Sequence, residues 1–109
     1  MSGDRKDVQK IGFNDIFQKY HNLNIENIFD FSDEILNVLK EKQKPIDEFL
    51  NQFMNYLKEL IKQNLQDDSS YLKIKNDIKI INEAIKHSNA NMSDKIVLET
   101  LVLRLLRGY

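Results

Sequence analysis

The residues of this chain that could do chemistry are few, and their spacing does not gather them. His21 and His87 could bind a metal or move a proton. Neither is followed, three or four positions on, by a histidine or carboxylate, the spacing that sets two ligands on one helix face. Asp67 and Asp68 precede Ser69 and Ser70, but adjacent acids and serines read as a solvated loop and a helix cap before they read as a cation site. Gly3, Gly12 and Gly108 are isolated, so no glycine-rich loop can cradle a phosphate. With no cysteine, a disulfide scaffold, a thiolate metal site and a cysteine nucleophile are excluded. Phe49, Phe53 and Tyr56 could stack on nucleic-acid bases. Phe49 and Phe53 share an apolar helical stripe, however, and core packing is the better reading. The expectation is a protein with no catalytic, cofactor-binding or metal-binding residues, and not an enzyme.

Composition sets the frame for that expectation. The chain has 109 residues, 41% hydrophobic and 30% charged, the balance of one folded domain spanning 1–109. Sixteen Lys and Arg nearly cancel 17 Asp and Glu, for a net charge of -1. Modules that bind nucleic acid through overall charge are usually basic, so no direct nucleic-acid partner is expected. The opening "MSGDRKDVQK" has no apolar leader, and no later apolar run reaches membrane-spanning length. The chain is read as cytoplasmic, with no membrane partner and no small-molecule substrate. Residues 1–7 are read as a flexible or foreign N-terminus.

One proline, three glycines and no hairpin dipeptide leave helical periodicity as the dominant signal. "KPIDEFLNQFMNYLKELIKQNL" is the clearest helix. Pro45 suits its first position, and Asp47 and Glu48 favour the positive end of the helix dipole. Ile46, Phe49, Leu50, Phe53, Met54, Leu57, Leu60 and Ile61 then form a stripe wide enough to need two neighbours. Before it, "FSDEILNVLKEK" offers Ser32 as an N-cap with Ile35, Leu36 and Leu39 buried. Phe13, Ile16, Phe17 and Tyr20 mark an earlier helix, broken at Asn22 to Asn24. After "QDDSS", Ile74, Ile78, Ile81 and Ile85 make a fourth stripe, and Ser93 caps a final helix. The expected fold is all-α, a compact bundle of about five helices, mostly antiparallel.

The final helix carries more apolar surface than one stripe. At about 100° per residue, Val97, Leu98, Leu101, Val102 and Leu105 gather on one side. Ile96 and Leu103 fall roughly opposite, with Glu99 and Arg107 around them and Leu106 at the edge. Either this helix is surrounded by its own bundle, or the second stripe packs on another subunit. Under the second reading the partner-interface candidates are Ile96, Glu99, Leu103, Leu106 and Arg107.

"IINEAIKHSNANMSDKIVLETLVLRLL" resembles the end of the C-terminal domain of bacterial DNA polymerase III clamp-loader subunits. In that family an Asn-containing break precedes a leucine-rich closing helix, matched here by Leu98, Glu99, Leu101, Leu103 and Leu105. "PIDEFLNQFMNYLKELI" is similar to the family's preceding helix, and "IGFNDIFQKY" to the entry helix after the ATPase module in the delta-prime type. The resemblance covers most of the chain through helical patterns, delta-prime ahead of gamma/tau. It implies a non-catalytic oligomerisation domain that packs with its counterparts into a circular collar, its partners being the other loader subunits. The sequence has neither a P-loop nor zinc cysteines, so the resemblance implies a C-terminal domain taken from a longer subunit. The alternative is a free-standing helical adaptor or regulator that binds a single protein partner.

Overall fold

Asparagine side chains decide where the first helix stops. Asn24 Oδ1 accepts hydrogen bonds from the backbone N–H groups of Glu26 (2.8 Å) and Asn27 (3.1 Å). Asn27 Oδ1 in return accepts from the N–H of Asn24 at 2.8 Å, and its amide donates to Asn22 O at 3.0 Å. Short amides that bond their own backbone compete with helix continuation, and here they win.

The computed structural model describes residues 12–63, 68–88 and 92–108. Among them are five helices and no strand: α1 (Phe13–Tyr20), α2 (Ile28–Lys42), α3 (Ile46–Lys62), α4 (Asp68–Ser88) and α5 (Asp94–Arg107). The fold is therefore an all-α five-helix bundle. None of these helices is long and apolar enough to cross a membrane. The reading of residues 1–7 lies outside the described residues.

The helices pair in a definite order. α3 packs on α4, α4 on α5 and α5 on α2, while α1 lies against α2 and α3. Two polar ties show that α4 and α5 run antiparallel: the Asn76 amide donates to Gly108 O at 2.5 Å, and Arg104 meets Glu83 at 2.6 Å. α1 and α3 instead run in the same direction, since Phe13 meets Phe49, Phe17 meets Phe53 and His21 meets Tyr56. The core runs through all five helices, with Ile16, Ile35, Phe49, Leu50, Phe53, Leu57, Ile81, Leu98 and Val102 fully enclosed.

Three expectations need correction. α2 begins at Ile28, so Ser32 lies inside the helix, buried, its hydroxyl donating to Phe29 O at 2.9 Å rather than capping. Ile28 and Phe31 supply buried surface that extends the helix past the local cap signal. Pro45 is the extended residue just before α3, one place earlier than expected. On α4 the buried face is Ile74, Asp77, Ile80, Ile81 and Ala84, with Ile78 and Ile85 only partly covered. α4 is thus rolled away from the centre of its isoleucine stripe.

Helix ends follow ordinary capping chemistry. Ser93 Oγ accepts from the N–H of Ile96 at 3.2 Å, as the sequence predicts. α5 stops at Gly108, whose φ of 87° is the left-handed conformation that glycine adopts without penalty. α2 stops at Gln43 in the same conformation (φ 53°), with the N–H of Lys44 returning to Leu39 O at 3.1 Å.

Candidate functional site

α5 is held between α2 and α4, and that position consumes most of its apolar surface. Val97, Leu98, Leu101, Val102 and Leu105 are all buried, the inner face read from the spacing. The five interface candidates divide. Ile96 is 50% exposed and Arg107 is exposed. Glu99 is half-buried, and Leu103 and Leu106 lean against the core. Helical geometry keeps Ile96, Glu99, Leu103 and Arg107 on one face, while Leu106 turns toward Tyr20 and His21 and lines a small cleft with them. Met92, just before the cap, adds a second exposed apolar side chain at 38%. The outer face of α5 is therefore a narrow apolar strip opening at its N-terminal end.

A second cluster escaped the sequence reading. Asp77 of α4 is fully buried, and its Oδ2 accepts from the Tyr20 hydroxyl of α1 and from Lys73 Nζ at 2.7 Å. Lys73 Nζ also lies 5.2 Å from the centre of the Tyr20 ring. Beside them, His21 Nε2 sits 2.6 Å from the Tyr56 hydroxyl. Burial, reinforced by the hydrogen bond and charge of Asp77, pushes the Tyr20 hydroxyl far above the usual phenol range. Burial also raises the Tyr56 hydroxyl. Both phenols stay protonated at neutral pH. Tyr20 is thus a fixed donor and a poor proton-transfer acid, and the cluster ties helices together instead of presenting a reactive group.

The flanking concavities agree with that. Two clefts of about 180 and 120 Å³ share Tyr20, His21 and Lys73, which is small for a ligand site. A wider groove of about 560 Å³ runs beside Asp30, Asp33 and Glu34, where Lys19 already meets Glu34 at 2.5 Å. Among the described residues, no group of three or more His, Cys, Asp or Glu is placed to hold a metal ion. His87 is exposed in the last turn of α4, and Glu83, four residues before it, is engaged by Arg104. Phe49 and Phe53 are fully buried, so they offer no stacking platform.

The signal for Asp77 was present but points the other way. Ile74, Asp77, Ile81 and Ala84 follow steps of three and four, so Asp77 sits within an apolar stripe. Its charge alone assigns an aspartate to the solvent side, against the periodicity.

His21 makes a pH prediction. Burial, and then the positive charge of Lys73, hold its pKa below the ordinary 6.5. The folded state therefore prefers neutral His21, and the unfolded state binds the proton more readily. Its contribution to stability is complete above pH 6.5, falls as the pH drops toward the lowered folded value, and is flat below that. Melting temperatures measured across this window should fall in the parent more than in His21→Gln. Equal slopes would show that His21 is not held neutral.

Set against family models, curated proteins and solved structures, the chain matches none of them.

Proposed function

We propose that this chain is a non-catalytic helical interaction module that acts by packing the outer face of α5 against a helix of another subunit. The observation that carries this reading is Ile96, half exposed on a helix whose opposite side is wholly buried. Met92, two residues before α5, is a further exposed apolar side chain at that end, and Leu103 on the same face as Ile96 is only partly covered. Arg107 at the far end supplies a charged rim of the kind that orients docking helices. The resemblance of the closing helix to clamp-loader C-terminal domains supports a specific form of the reading, a collar domain whose partners are the other loader subunits in the cytoplasm.

The test uses side chains that the bundle itself does not need. Ile96→Lys with Arg107→Glu alters two exposed positions, so the melting temperature should stay near the parent's. A charge placed in a helix-packing interface should weaken association at least about tenfold. Pull-down with purified bacterial clamp-loader subunits, beside melting curves, reads both effects. Capture of the parent and loss of the variant supports the collar. A parent that captures no loader subunit overturns it, and so does a variant captured equally well.

A further inference from the structure

α1 and α3 meet through two rows of rings with the same spacing. α1 carries Phe13, Phe17 and Tyr20, and α3 carries Phe49, Phe53 and Tyr56, each at steps of four and then three. The helices run in the same direction, and ring centroids lie 5.0–5.3 Å apart for Phe13–Phe49, Phe17–Phe53, Phe17–Tyr56 and Tyr20–Phe53. Such a ladder is nearly self-similar under a slide of one helical turn, roughly 5.4 Å. After the slide most rings still face rings, because aromatic contacts accept several geometries. One-turn slides of packed elements are a known way for helices to exchange between two arrangements.

The exposed His21–Tyr56 and Lys19–Glu34 contacts also belong to one register, but they lie in water and are cheaply exchanged. The Tyr20 hydroxyl breaks the symmetry inside the core, because neither Phe13 nor Phe17 has one. It reaches Asp77, whose carboxylate is fully buried and whose other oxygen, Oδ1, is also buried and has no hydrogen-bond partner among the described residues. A slid α1 would carry the hydroxyl away and leave Oδ2 with Lys73 alone. Enclosed carboxylates are costly to leave short of donors, so the slid arrangement is penalised where the ring ladder does not penalise it.

We propose that the Tyr20–Asp77 hydrogen bond is the register pin of the bundle, selecting one axial position of α1 along α3. Its role is specificity more than stability. Replacing a buried polar pair with apolar side chains is often neutral or stabilising, whereas buried polar contacts are best attested as setters of register. Removing the pin should therefore leave a folded bundle in which α1 occupies two positions.

The chain has no cysteine of its own, so engineered pairs can report the register. Asn14 and Gln52 line the same clefts and are exposed, so Asn14→Cys with Gln52→Cys reports the native position. Gln18 is one turn further along, beside Tyr56, so Gln18→Cys with Gln52→Cys reports a slide toward the start of α3. Asn14→Cys with Asn55→Cys, one turn beyond Gln52 and exposed, reports the opposite slide. With Tyr20 and Asp77 intact, the native pair should cross-link at least tenfold faster than either slid pair. In Tyr20→Phe with Asp77→Leu, one slid pair should cross-link at a rate within about threefold of the native pair, at an unchanged or higher melting temperature. Retention of the native preference in this variant overturns the proposal. If the double variant does not fold, Tyr20→Phe alone decides: doubled amide resonances for α1 support the pin, and a single set overturns it.

Discussion

Leu101→Asp should leave the chain unfolded at ordinary temperature. Leu101 is 1% exposed on the inner side of α5, the helix held between α2 and α4. Truncating a buried leucine already costs about 2–5 kcal/mol. An enclosed carboxylate with no assigned donor adds several more. Domains of this size are stable by only about 5–15 kcal/mol in total, so the combined loss reaches the whole margin. Loss of the helical far-ultraviolet signal, or of a cooperative melt, is the expected observation. A variant that melts like the parent would place Leu101 outside the core and reverse the assigned faces of α5.

Phe53→Ala should have the next largest effect. Phe53 is fully buried and touches three rings: Phe17 stacked at 5.2 Å, Tyr20 edge-on at 5.3 Å and Phe49 tilted at 5.7 Å. Removing a core phenylalanine costs about 3–5 kcal/mol through lost transfer energy and the cavity left behind. At about 4–8 °C per kcal/mol for a domain near this size, the melting temperature should fall on the order of 15–30 °C. Phe13→Ala gives the comparison, because Phe13 is only partly buried and meets Phe49 at the edge of the ladder. Its drop should be distinctly smaller. Equal drops in the two variants would mean that Phe53 is not the centre of the α1–α3 contact.

Much of the bundle was legible because apolar spacing has one helical meaning at a time. The stripe of α3, the Ser93 cap and the inner face of α5 each depend on interactions within one helix turn, or on which side of a helix avoids water. Those are properties of a short stretch of chain. Ser32 shows where local reasoning fails. It has the chemistry of a cap and sits before an apolar run, yet Ile28 and Phe31 find neighbours to bury against and the helix begins five residues earlier than that cap would start it. The energy of that burial outweighs one capping hydrogen bond.

Asp77 and Leu103 mark the same boundary at the candidate sites. Residue types and spacing determined that this chain is helical, that its first helix breaks at Asn22 to Asn24, and that α5 has an apolar inner face. They also determined that cysteine chemistry and a glycine-rich phosphate loop are excluded. Which helix covers which stripe depends on side chains far apart in sequence, such as Tyr20 and Asp77, 57 residues apart. Packing alone therefore settled that an aspartate is tolerated at the centre of α4, where α1 brings it a donor. Packing also settled how much of the second stripe of α5 stays in water. Two neighbours cover most of it, Leu103 is partly enclosed, and Ile96 at the open end remains half exposed. Periodicity measures how apolar each face is, and only the arrangement of the other helices sets which faces are covered.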